Sequence, residues 1–146
     1  MKDLKTPSGL YLIDANVFLR FLVPENKTSY QECVQLFSAL KAKKIQATTS
    51  SIVLAEVQWT LKSFYRLPKR DVLESLQAIN STKGLTIRDK FDMRAALKLW
   101  GQHKAKFVDC LLASDKSVQK GETIIVSYDK EFDKLGVIRR EPGDLL

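Results

Sequence analysis

The stretch that most restricts the fold is Gly9 to Leu22, GLYLIDANVFLRFL. Leu10 to Asp14 has strand character, and a helix begins directly after it at Ala15. A strand that passes straight into a helix opens a β-α unit. An acid at the C-terminal end of such a first, buried strand sits where open α/β folds place their chemistry. Asp14 then has two readings: a metal-binding carboxylate, or an N-cap for the helix that follows, since Asp is favoured there. The stretch alone does not choose between them.

The rest of the chain repeats the alternation. Ala15 to Val23 is a short helix ended by Pro24, which disfavours helix in the residue before it. Lys27 to Lys43 is a longer one, with Cys33, Leu36, Phe37 and Leu40 forming one apolar stripe. Ile45 to Thr49 reads as a second strand, and Ser50 or Ser51 caps a helix running to Tyr65. Pro68 suits the first turn of the next helix, whose apolar positions are Val72, Leu73, Leu76 and Ile79. Leu85 to Ile87 is a third strand. Phe91 to Trp100 and Phe107 to Lys120 are helices, with Ala95, Ala96, Leu99 and Trp100 as the apolar side of the first. Thr123 to Ser127 is the clearest strand after the first. Lys130 to Leu135 makes one or two helical turns, Val137 to Arg139 a last short strand, and Pro142 begins a loose tail. Strands alternating with helices predict a parallel sheet covered on both faces, here as one domain over residues 1–146.

Composition narrows the functional classes. No run approaches the roughly 18 apolar residues of a membrane span, and the polar start MKDLKTPSG lacks the apolar segment of a secretory signal. A cytoplasmic protein is expected. The two cysteines, Cys33 and Cys110, lie among helical apolar neighbours and read as buried free thiols rather than a disulfide. A single histidine, His103, excludes His-rich zinc sites, makes a Ser-His-Asp triad improbable, and reads as a solvated residue near a helix end. Neither GxGxxG nor GxxxxGK[ST] occurs, so there is no phosphate-cradling loop of either kind. The net charge of +7 favours a polyanionic partner such as nucleic acid.

Three further acids stand out. Glu56 is a charge inside the apolar run Ser51-Ile52-Val53-Leu54-Ala55-Glu56-Val57. At about 100° per residue it lies nearly opposite Gln58 and Lys62, so it faces the body of the protein or a cleft, where a carboxylate needs a cation or hydrogen-bond donors nearby. Asp109, in Phe107-Val108-Asp109-Cys110-Leu111-Leu112-Ala113, falls in the first turn of a helix, where the dipole alone favours a negative charge. Angles along a continuous helix make Asp115 look more inward than Asp109. Asp129 directly follows the strand at Ile124-Ile125-Val126-Ser127, as Asp14 follows the first, and is also a candidate cap. Two acids at the C-terminal ends of two core strands share one edge of a parallel sheet. Close carboxylates repel, divalent cations relieve the repulsion, and hard oxygen ligands without histidine suit Mg²⁺ or Mn²⁺.

Taken in order, LIDANVFL, SSIVLAEV, FVDCLLAS and IIVSYDKEFDKL resemble the PIN-domain ribonucleases, and more closely the VapC-type toxins of toxin–antitoxin pairs. The resemblance spans essentially the whole chain. It implies a Rossmann-like three-layer α/β/α sandwich with a central parallel sheet, and a site of four acids falling on Asp14, Glu56, Asp109 and Asp129. It also selects Asp109 over Asp115. Asn16 matches the polar position two after the first acid, and Ser127 the small hydroxyl residue near the last. Ala15 departs from the threonine or serine common in the family, which removes a hydroxyl but no ligand.

The implied activity is metal-assisted hydrolysis of RNA phosphodiester bonds, with Mg²⁺ or Mn²⁺ held by Asp14, Asp109 and Asp129. Glu56 would bind directly, through water, or orient the attacking water. The implied partners are RNA, a cognate antitoxin and a second copy of the chain, with no membrane. Phe18, Phe21, Leu22 and Phe37 offer a docking surface for the antitoxin, or are simply core. Three rivals stand beside this reading. A PIN nuclease outside any toxin pair would process RNA, and a degenerate PIN-like module would bind RNA or protein without turnover. An aspartyl phosphatase would usually place a second aspartate where this chain has Asn16.

Overall fold

The computed structural model describes residues 10–145. Its first strand, β1 (Leu10–Ile13), is followed by α1 (Ala15–Leu22) and α2 (Lys27–Lys41), then β2 (Gln46–Thr49) and α3 (Ser51–Trp59). Next come α4 (Lys69–Asn80), β3 (Leu85–Ile87), α5 (Met93–Gln102), α6 (Phe107–Ala113), α7 (Lys116–Gln119), β4 (Thr123–Val126) and β5 (Arg139–Arg140). The strands form one sheet in the order β3-β2-β1-β4-β5, and every pairing is parallel. Helices flank the sheet, as a parallel sheet requires when each crossover must cover a face.

That strand order carries the functional consequence. The chain steps from β1 outward to β2 and β3, then returns to the other side of β1 as β4. The reversal between β1 and β4 is a topological switch point, where connections leave in opposite directions and open a crevice beyond the strand ends. Ile13 stands beside Val126 in the register, and Asp14 N–H donates to the Val126 carbonyl at 3.0 Å. The residues that follow these two strands, Asp14 and Ser127 to Asp129, therefore emerge together.

The apolar stripe of α2 is confirmed: Cys33, Leu36, Phe37 and Leu40 are all buried. Both cysteines are buried free thiols. The central strands are almost wholly inaccessible, with all four residues of β4 buried, as the near-continuous apolar run of a two-sided parallel strand should be.

Several boundaries differ from those the sequence suggests. The helix expected to run from Ser50 or Ser51 to Tyr65 is α-helical only to Trp59 and closes with a π-helical turn over Thr60–Phe64. Pro68 takes the N-cap position of α4 rather than its first turn. The last strand is Arg139–Arg140 instead of Val137 to Arg139, and Pro142–Leu145 is a short 3₁₀ helix rather than a loose tail. Of the apolar positions of α5, only Ala96 is buried, while Trp100 stands 54 % exposed.

The most consequential difference lies between Phe107 and Lys120. A single helix is expected there, but the chain breaks it into α6 and α7 at Ser114 and Asp115. Ser114 Oγ donates to the Leu111 carbonyl at 2.6 Å and accepts from Asp92 N–H at 3.0 Å. Asp115 then caps α7 by accepting from Ser117 N–H at 2.9 Å. Short polar side chains compete with the helix for its own backbone groups, and two in succession end it. Angles projected through an unbroken helix therefore cannot rank Asp115 against Asp109, and Asp109 is the more deeply buried of the two.

Candidate active site

Asp14 sits in the N-cap position of α1 with extended backbone, yet its side chain makes no capping bond. It turns instead to its neighbours. Asp14 Oδ2 accepts from Ser127 Oγ at 2.7 Å and from Asn16 Nδ2 at 3.3 Å. Ser127 Oγ in turn accepts from Asn16 Nδ2 and from Asp129 N–H, each at 3.0 Å. Asn16 Oδ1 accepts from Tyr128 N–H at 3.1 Å. One hydroxyl thus uses its single donor on Asp14 and accepts from the first turn of α1, through Asn16, and from the backbone after β4, through Asp129. The network ties the end of β1 to the end of β4.

Asp129 does cap: its Oδ1 accepts from Glu131 N–H at 2.9 Å, starting the 3₁₀ helix Lys130–Leu135. Its second oxygen is not used in that cap. Asp109, in the first turn of α6, is 1 % exposed. Glu56 is half-buried on α3 and meets the Lys106 ammonium at 3.3 Å, which supplies the cation its position demands.

Among the described residues, two carboxylate oxygens are buried with no hydrogen-bond partner, Asp14 Oδ1 and Asp109 Oδ2. Such groups are costly to bury uncompensated, and the protonation chemistry of the site shows the strain. Burial pushes Asp14 up to about 6, against the Ser127 hydrogen bond and the neighbouring Ala15 N–H; the Glu56 charge adds to the rise and the Lys106 charge opposes it. Asp109 is pushed up to about 8 by burial first and then by the charge of Asp14, with Asp129 contributing both charge and a contact that favours a shared proton. The acids are therefore mutually coupled. Burial pulls the Lys106 ammonium down, but Glu56, Asp109 and Asp14 together outweigh it and hold it above its ordinary value.

Among the described residues, no three Asp, Glu, His or Cys side chains are gathered closely enough to enclose an ion as they stand. Glu56 is engaged by Lys106, and one oxygen of Asp14 by Ser127. The donors nonetheless fit a hard divalent cation: they are all carboxylate oxygens, two of them orphaned and buried.

Asp115 is not part of this group. It is 8 % exposed and forms an ion pair with Arg88, and both its Oδ1 contacts go to Ser117. Its inward projection is that of a structural ion pair. Sequence reasoning missed Lys106, which sits three residues before Asp109 with extended backbone at the N-cap of α6, where helical periodicity carries no signal. Tyr128 was also unmarked. Its hydroxyl donates to Glu32 Oε1 at 2.8 Å and the Arg20 guanidinium lies 4.1 Å from its ring centre.

A family model described as "PIN domain" matches residues 11–138. The chain belongs to the PIN-domain family. The match includes all four sequence-derived acids and the Asn16–Ser127 pair. Among curated proteins, the VapC ribonuclease of Aquifex aeolicus (strain VF5) is 29 % identical over 125 residues, covering 86 % of this chain and 91 % of that protein. Among solved structures, VapBC2 from Rickettsia felis, bound to a DNA fragment from its promoter, superposes with a TM-score of 0.62 at 18 % identity, covering 90 % of this chain and 98 % of that one. The sarcin–ricin loop cleaving toxin VapC20 of Mycobacterium tuberculosis gives 0.61 at 16 % identity, covering 88 % and 96 %. At these identities the superpositions speak to the shared PIN fold.

Proposed function

We propose that this PIN domain is a metal-dependent ribonuclease acting in the cytoplasm, and the toxin of a VapBC-type toxin–antitoxin pair. The observation that carries the nuclease reading is the pair of orphaned, buried carboxylate oxygens on Asp14 and Asp109 at the β1/β4 switch point. The 29 % identical VapC ribonuclease supports the toxin role.

Asp14, Asp109 and Asp129 would hold Mg²⁺ or Mn²⁺, with Glu56 binding through water or orienting the attacking water. When bound, the cation supplies a nucleophilic water at neutral pH and steadies charge on the scissile phosphate. Ser127 and Asn16 fix the direction of Asp14, and the surplus of lysine and arginine holds the RNA backbone by charge.

The antitoxin segment would offer an arginine or lysine to the carboxylates and apolar side chains to α1 and α2. Phe18 and Phe37 are buried, but Phe21 is 37 % exposed. Together with Leu22 and Ile79 they line a groove of about 550 Å³. A second copy of the chain would find its apolar surface on α5, where Met93, Leu97 and Trp100 recur at helical spacing, each more than half exposed.

The test is cleavage of RNA by the purified protein with and without Mg²⁺ or Mn²⁺, beside expression in cells with and without the neighbouring small gene. Cation-dependent cleavage with growth arrest relieved by the neighbour supports the full proposal. Cleavage without arrest leaves an RNA-processing nuclease, and binding without cleavage leaves an inactive module.

A further inference from the structure

We propose that Lys106 is a working group of this same site: its ammonium balances the carboxylates while no metal is bound, and engages the RNA phosphate being cleaved once a divalent ion has taken that place. The inference rests on the nuclease reading above.

Four observations carry it. First, position: Lys106 lies three residues before Asp109 and its side chain crosses to α3, with Nζ 3.3 Å from Glu56 Oε2. Its charge reaches Glu56, Asp109 and Asp14, acids drawn from three separate elements. Second, need: among the described residues Asp14 Oδ1 and Asp109 Oδ2 are buried without hydrogen bonds, so once ionised they need a compensating positive charge.

Third, availability. Several other cations close to these elements are committed elsewhere. Arg88 is paired with Asp115, and Lys134 with Glu131. Arg139 binds Asp133, Glu141 and the Ser127 carbonyl. Arg20 lies over the Tyr128 ring. Lys106 alone among these is paired with an acid of the site. Fourth, exposure: the Lys106 side chain is 62 % exposed against 24 % for Glu56, so the ammonium stands on the solvent side of the pair. That is the side from which an RNA strand arrives.

An ion pair with so much exposure is weak and readily exchanged. A lysine suits such an exchange, being a point charge on a flexible stem rather than a guanidinium locked in a fork. When a divalent ion neutralises the acids, the field that draws the ammonium inward falls, and an incoming phosphate offers it a new partner.

The experiment compares wild type, Lys106→Met and Lys106→Arg, using the full chain. Mn²⁺ binding is measured by calorimetry, and single-site RNA cleavage at saturating Mn²⁺ and RNA. Lys106→Met should bind Mn²⁺ about two- to fivefold more tightly, because no ammonium has to be displaced from an exposed pair. Its kcat should fall by about a hundredfold, the cost of losing one charge-stabilising donor to the transition state. Lys106→Arg should keep the wild-type Mn²⁺ affinity and recover most of kcat. Opposite movements of affinity and kcat are not what a merely structural lysine would give. Unchanged or weaker Mn²⁺ binding in Lys106→Met, or an unchanged kcat, overturns the inference while a cleaving wild type leaves the nuclease reading standing. A wild type that neither binds Mn²⁺ nor cleaves RNA removes both. Lys106→Gln, with a thermal melt, guards against loss of fold in the methionine variant, and the same criteria apply to it.

Discussion

Ser127 Oγ donates a 2.7 Å hydrogen bond to Asp14 Oδ2 across 113 positions of sequence, joining the ends of two adjacent parallel strands. The same hydroxyl accepts from Asn16 and from the backbone of Asp129. Ser127→Ala removes all three contacts and leaves part of buried Asp14 and the N–H of half-buried Asp129 unsatisfied. The expected cost is about 1–3 kcal/mol of stability. Cleavage should fall about ten- to a hundredfold, as for other partners that orient a metal ligand. Thermal melts and single-turnover cleavage measure both; wild-type activity in Ser127→Ala would show that the hydroxyl does not hold Asp14 for the reaction.

Replacing the acids separates the site from its structural neighbour. Asp14→Asn, Asp109→Asn and Asp129→Asn each remove a charge with little change of volume, and each should abolish most cleavage in a folded protein. Asp115→Asn should do the reverse. It leaves Arg88 with Ser117 Oγ but without its charged partner, so about 1–3 kcal/mol of stability is lost while the folded protein still cleaves. A dead but stable Asp115→Asn, beside an active Asp109→Asn, would reassign the site.

The stability of the metal-free protein should decline as pH rises. Asp14 is held near 6 and Asp109 near 8, both above the ordinary carboxylate range, chiefly by burial. Between the unfolded and folded values the native state binds more protons than the unfolded chain, so the slope of stability with pH is negative. The stabilisation is complete below about pH 4 and is lost as pH rises through about 6 to 8. Glu56 and Asp129 steepen the effect and Lys106 opposes it. Melting temperatures of chelated protein measured from pH 5 to pH 9 check this, with Asp109→Asn as the reference in which the slope flattens.

Divalent cations should reverse that loss. An ion that binds only the folded state stabilises it by mass action, about 2.7 kcal/mol at a hundred times its Kd. The melting temperature should therefore rise with millimolar Mg²⁺ or Mn²⁺, most at high pH where the carboxylates are free of protons. No shift, with no heat of binding in calorimetry, counts against a metal at these acids.

Phe21 offers a test of the antitoxin surface that leaves the acids untouched. It packs edge-on against Phe37 and stacks on Tyr30, with 37 % of its surface open. Phe21→Glu should keep RNA cleavage within about twofold, as surface changes away from a site do, while weakening rescue by the neighbouring gene product on co-expression. Undiminished rescue would move the partner off this groove.

Much of the fold was legible in the chain alone, because it is written in local repeats. The α2 stripe of Cys33, Leu36, Phe37 and Leu40 is a 3.6-residue pattern, and β1 and β4 are short, mostly apolar runs, LYLI and TIIV, each followed by an acid within three residues. Asp14 and Asp129 could be placed on one sheet edge because both follow core strands of a parallel sheet. Periodicity reports only which side of its own element a residue takes. It could not decide between Asp109 and Asp115, because that choice depended on Ser114 and Asp115 breaking the helix and on Arg88, from the end of β3, reaching Asp115. Nor could it show that Phe18 and Phe37 are covered while Phe21 stays open, that Ser127 reaches across to Asp14, or that Lys106 meets Glu56. Those contacts join residues tens of positions apart or more. They exist only once the β1/β4 switch point has brought the strand ends together and burial has removed the water that would otherwise have paired the acids.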